Sequence, residues 1–106
     1  MAKISERAWG PIAESDYADA GDFCRASLID LNPKGQEKTK ALCKLPVREP
    51  RSAGGAVNRN GVHAAAQRIG QVDAPAAAIR RAASMLVRLY RQLGDEPPES
   101  LRELAR

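Results

Sequence analysis

No apolar run in this 106-residue chain approaches the ~20 residues that a membrane helix needs, and the start, Met1 to Arg7, lacks the apolar block of a signal peptide. The expectation is a soluble chain in the cytoplasm, with no membrane partner. Histidine occurs once, at His63, and no Gly-x-Ser-x-Gly elbow accompanies it, so a base-activated nucleophile has no obvious components. Ser52-Ala53-Gly54-Gly55 lacks the lysine and the spacing of a phosphate loop, and the acids sit in helix first turns and in the tail instead of forming a hydrolytic pair. Neither an enzyme nor a bound cofactor is expected. Aromatics are scarce: Trp9, Tyr17, Phe23 and Tyr90 offer no stacking platform for nucleic-acid bases. Cysteine occurs only at Cys24 and Cys43, too far apart for a Cys-x-x-Cys knuckle. Two reduced, buried cysteines are the favoured reading and a disulfide the second. Zinc is the third, because a carboxylate would have to complete the ligand set. No metal is expected.

What is present describes one modest globular domain. Apolar residues make up 43% and charged residues 28%. At this mass folding buries roughly 65% of the unfolded surface, enough for a single core. The net charge of +4 is unevenly spread. Residues 1–50 balance to zero, whereas residues 51–91 hold seven arginines (Arg51, Arg59, Arg68, Arg80, Arg81, Arg88 and Arg91) against Asp73 alone. Guanidinium groups pair bidentately with carboxylate or phosphate, so this block is the natural place for an anionic partner.

Read along the chain, residues 1–14 form an N-terminal arm and 15–106 a single helical domain. Trp9 in the arm is expected to fold back onto the core, with a partner-binding anchor as the other reading. Ser15 predicts a helix cap, and Tyr17, Ala20, Cys24, Leu28 and Leu31 a helical stripe that ends at Asn32-Pro33. Gln36 to Pro50 reads as an extended segment, with a short strand at 41–45. Pro46 and Pro50 push the residues before them towards extended backbone. No alternating partner strand is evident, so a sheet is not expected. Asn58 caps a helix from Arg59, with Val62, Ala65, Ala66 and Ile69 inward and Gly70 as a left-handed terminator. His63 lies on its flank, as a solvated or internally satisfied side chain.

Asp73 as cap and Pro75 in the first turn head a long helix to Leu93, closed by Gly94. Ile79, Ala82, Leu86, Leu89 and Leu93 line its core side, and Arg81, Ser84, Arg88 and Arg91 another. After Pro97-Pro98, residues 99–105 offer one or two turns whose Leu101 and Leu104 dock on that helix. The predicted fold class is therefore mainly α: a small domain of three to four helices with an extended, proline-containing segment.

The run Cys43 to Pro50 (CKLPVREP), the helix start Gly55 to Ile69 (GAVNRNGVHAAAQRI), the stretch Leu86 to Arg91 (LVRLYR) and Glu96 to Leu101 (EPPESL) together resemble a small helical module of head-morphogenesis proteins in tailed bacteriophages and prophages of actinobacteria. That module occurs beside or fused to head-maturation proteases. The resemblance spans residues 9–104 and carries over no catalytic residue. It implies a non-enzymatic, head-associated binding module acting through protein contacts, with a phage head or capsid protein as partner and the virion as a second location. Two alternatives stand beside it: a nucleic-acid-binding module using the arginine face of residues 59–91, and a small inhibitor or regulator of a host or phage enzyme. The candidate binding residues are Arg59, Arg68, Arg80, Arg81, Arg88, Arg91, Pro46, Arg48 and Trp9. Asn58 and Asn60 are expected to fasten the Leu45 to Pro50 segment to the helix start through side-chain hydrogen bonds.

Overall fold

The computed structural model describes residues 4–10 and 12–106; the portion of the predicted arm at residues 1–3 and Pro11 lies outside the described residues. The chain is mainly α, with four α-helices and two small two-stranded sheets among the described residues. In order these are β1 (Ile4–Ser5), α1 (Ala20–Ala26), β2 (Ser27–Asp30), β3 (Cys43–Pro46), β4 (Val57–Asn58), α2 (Arg59–Arg68), α3 (Ala76–Leu93) and α4 (Glu99–Leu104). No helix is long and apolar enough to cross a membrane.

The first helix departs from the periodicity reading. Only a 3-10 turn forms at Glu14–Asp16, and α1 begins after Asp19, whose carboxylate accepts the Asp22 N–H at 2.8 Å. Leu28 and Leu31 are not helical. Ser27 ends α1 in extended backbone, and β2 pairs antiparallel with β3 in the register Ser27↔Pro46, Ile29↔Lys44 and Asp30↔Cys43. A four-residue strand cannot display enough alternation to be told from a helix end, so β3 finds the partner that was not expected. The two strands are clamped to α1 by a Cys24–Cys43 disulfide, with Cα atoms 5.2 Å apart, in place of the reduced pair. The spacing alone does not reveal this, because the reversal between β2 and β3 is what brings the two cysteines together.

Leu45 also corrects an expectation. It precedes Pro46, yet its φ is +62°, in the left-handed region, and its side chain is buried in the main core. Such backbone costs on the order of 1–3 kcal/mol, so the buried leucine must offset it. The strand turns here to send Leu45 and Val47 inward.

Asn58 caps α2 as read, its Oδ1 accepting the Gly61 N–H at 2.9 Å. Gly70 does not end the helix left-handed; α2 instead tightens into a 3-10 turn at Ile69–Gln71. Pro75, and not Asp73, occupies the cap position of α3, without a side-chain cap bond. At the other end Gly94 is left-handed (φ 79°), and the Gly94 and Asp95 N–H groups return to the Arg91 and Tyr90 carbonyls. The core stripe of α3 packs with Val62 and Ala65 of α2, Ile69 of the 3-10 turn after it, Ile29 and Leu45 of the strands, and Val47 just beyond β3. Leu101 of α4 is sealed at 2% exposure, while Leu104 stays 37% exposed and does not dock. A smaller cluster of Tyr17, Phe23, Cys24, Ala26 and Cys43 surrounds the disulfide.

The arm is stitched into this frame. β1 runs parallel to β4, pairing Ile4 with Val57 and Ser5 with Asn58. The Asn58 amide donates to the Arg7 carbonyl at 3.1 Å and to Glu49 Oε2 at 2.9 Å, and the Asn60 amide donates to the Arg7 carbonyl at 2.9 Å. The asparagines thus hold chiefly the arm. Only Asn58 reaches the extended segment, through the Glu49 carboxylate.

Candidate functional site

The nine candidate residues do not form one surface. Arg59, at the first position of α2, is consumed internally. Its Nε donates to both Glu6 oxygens (2.8 and 3.0 Å), and one Nη donates to Asp95 Oδ2 at 2.6 Å and to the Leu93 carbonyl at 3.2 Å. These carboxylates raise the Arg59 pKa further, Glu6 foremost. The same Asp95 oxygen meets His63 Nε2 at 3.0 Å, and the His63 ring stacks on Tyr90 with centroids 5.3 Å apart. Arg59 first, and His63 after it, hold the Asp95 carboxyl below the usual carboxylate range. Arg59 and His63 therefore knit the arm, α2 and the end of α3 together.

Trp9, Pro46 and Arg68 come together in a groove of about 340 Å³, completed by Lys44, Ala64, Gln71 and Asp73. Trp9 folds back onto α2 and not into the core clusters: its half-buried ring lies against Gly61, where a Cβ would meet three ring atoms at 3.0 Å. A side chain at position 61 would require the indole to give way by a few tenths of an ångström.

The other arginines lie on and beside α3. At about 100° per residue, Arg80, Arg91, Arg88 and Arg81 fall within an arc of roughly 100°, opposite the buried Ala82, Leu86, Leu89 and Leu93. All four are exposed, and none is ion-paired among the described residues. Arg88 and Arg91 border a basic hollow with Arg102 and Arg106 of the C-terminal segment, whose charges are partly met by Glu96 and Glu99.

On its other side Arg88 enters a groove of about 380 Å³ between α3 and the α1–β2–β3 layer. Ala26, Leu28, Val47 and Leu89 supply its apolar lining, and Arg25, Arg48, Arg88, Met85 and Gln92 its remaining walls. Met85 is 41% exposed, the largest value among the exposed large hydrophobics. The Arg48 backbone is fixed: its carbonyl accepts the Tyr17 hydroxyl at 2.5 Å, and the residue bridges Val57. Burial, with the nearby Asp22 charge, pushes the Tyr17 hydroxyl up to about 12, so it remains a donor. Arg25 donates to Asp22 Oδ1 at 2.9 Å and to the Glu49 carbonyl at 3.3 Å, and its buried Nε has no partner among the described residues.

The groove thus joins two predicted residues, Arg48 and Arg88, to two that sequence reading passed over. Arg25 lies in the charge-balanced half of the chain, and Met85 sits between the core stripe and the arginine row of one helix. Neither position carries a sequence signal, because the packing of α3 on the strands is what unites them. No protein-family model matches the chain, and neither the curated proteins nor the solved structures provide a match.

Proposed function

We propose that the chain is a non-enzymatic binding module that receives a segment of a partner protein, bearing acidic and apolar side chains, in the groove between α3 and the α1–β2–β3 layer. The observation carrying this reading is the pairing of Arg48 and Arg88, both without an ion-pair partner among the described residues, with exposed Met85 over an apolar lining. Apolar floor and cationic rim suit a protein segment better than bare phosphate, which needs charge but no apolar contact. The sequence resemblance makes a phage head protein the partner to try first: capsid shell, portal or maturation protease. An inhibitor or regulator of an enzyme would use the same surface on a different partner.

The row of Arg80, Arg81, Arg88 and Arg91 favours a second reading, nucleic-acid binding. Four neutralised phosphates would make log K fall with log salt at a slope of about −3.6.

Affinity capture of the tagged chain and of an Arg48→Glu/Arg88→Glu variant, each at low and high salt, separates the two. A defined protein retained by the parent at high salt and lost by the variant supports the groove. Recovery of nucleic acid alone, released by salt, overturns it in favour of the arginine row.

A further inference from the structure

The disulfide sits in an unusual setting. Cys24 ends up beside Cys43 at the loop end of the β2–β3 ladder, where Asp30 is the register partner of Cys43. The two sulfurs and an Asp30 carboxylate oxygen all lie within 4.8 Å of one another, the one such group of three potential metal donors among the described residues. Asn32 reaches in from the following turn: its side-chain amide lies 3.2 Å from Cys43 Sγ and 3.5 Å from Cys24 Sγ, and donates to Asp30 Oδ1 at 2.8 Å. An N–H directed at sulfur stabilises a thiolate more than a neutral disulfide, since hydrogen bonds to ionised acceptors are the stronger ones.

We propose that reduction of the Cys24–Cys43 disulfide converts this cluster into a zinc site with two thiolates and the Asp30 carboxylate as ligands and a water in the fourth position. Two sulfurs and an oxygen, with one open position, are a donor set that tetrahedral zinc accepts. Two Zn–S bonds of ~2.3 Å at a tetrahedral angle place the sulfurs ~3.8 Å apart. Small side-chain rotations from Cα atoms 5.2 Å apart reach that separation. The step balances with a dithiol reductant: the protein S–S bond breaks and gains two electrons and two protons, and the dithiol becomes a disulfide. Zinc then displaces both thiol protons to solvent. Lys38, which pairs with Asp30 in the oxidised form, must give up that carboxylate.

The test uses the full chain, reduced anaerobically with a phosphine that leaves as its oxide, and titrated with Co²⁺ as the probe. The expected result is a one-to-one thiolate-to-cobalt charge-transfer band with tetrahedral visible absorption, removed by added Zn²⁺ and absent from the oxidised chain. Asp30→Asn should weaken Co²⁺ binding at least tenfold, and Lys38→Ala should tighten it. Any thiolate pair in a loosened chain would also bind cobalt, so the Asp30 variant is decisive. Equal affinity in Asp30→Asn, or no band in the reduced parent, overturns the proposal. Circular dichroism of each reduced sample confirms that the comparison is between folded chains.

Discussion

The side chains of Asn58 and Glu49 meet at 2.9 Å in the interior, at 0% and 1% exposure, and this contact joins three segments of the chain. One end of the Asn58 amide caps α2, and the other holds the Glu49 carboxylate and the arm carbonyl of Arg7. Asn58→Ala removes a cap, worth ~1 kcal/mol, and strips a donor from a buried carboxylate, worth ~1–3 kcal/mol. Urea denaturation should therefore show a loss of about 2–4 kcal/mol. A loss below 1 kcal/mol would mean that the arm is not held in this way.

Two buried carboxylates should make the fold sensitive to acid. Burial pushes both up, but the outcome is the reverse. Arg25 and the N–H groups of Arg51 and Ala18 hold Asp22 below the ordinary range, and Ser5, Asn58 and Arg7 hold Glu49 below it. A depressed folded-state value contributes stability above the unfolded carboxylate range, near 4, which is lost as pH falls through the folded values. Glu49→Gln should accordingly lower Tm at pH 7, and its gap to the parent should narrow as the pH falls below about 4. A gap independent of pH would show that Glu49 is not ionised in the fold.

Trp9, the chain's single tryptophan, reports on its own contact. A methyl group at Gly61 meets the indole at 3.0 Å, and the arm is what can yield. Gly61→Ala should shift tryptophan emission to the red. Stability should change by less than about 1 kcal/mol, because alanine's helix preference offsets the lost contact. Unchanged emission would place the ring elsewhere.

The two leucines of α4 should differ from each other, and only Leu101 should behave like Leu86. Leu86 is fully buried in the seam of α3, and its truncation to alanine should cost about 2–5 kcal/mol. Leu101→Ala should behave similarly. Leu104→Ala, at 37% exposure, should stay within about 0.5 kcal/mol. Thermal melts of the three variants rank them, and a large effect at Leu104 would mean that α4 is rotated from its described position.

These contrasts mark how far local pattern reaches. The long α3 helix was legible because one uninterrupted period sets its core stripe, and Gly94 supplies a chemistry that only a terminator needs. The Asn58 cap was legible for the same reason, since a side-chain oxygen finds its N–H three residues away. The β2–β3 pair was not, because four residues of strand hide within a helical count and the partner comes from a distant segment. Leu45 illustrates the limit: the local effect of Pro46 favours extended backbone, and burial of one side chain overrides it. The candidate groove divides along the same line. Arg48 and Arg88 stood out by charge, whereas Arg25 and Met85 join them only through tertiary packing.

The parallel pairing of β1 with β4 bears on the order of events during synthesis. Ile4 and Ser5 leave the ribosome long before Val57 and Asn58, and no nearer strand among the described residues pairs with them. Closing so long a loop is entropically costly until other contacts have brought its ends together. Among the described strands β1 should therefore be seated after β2 and β3, whose pairing closes a far shorter loop.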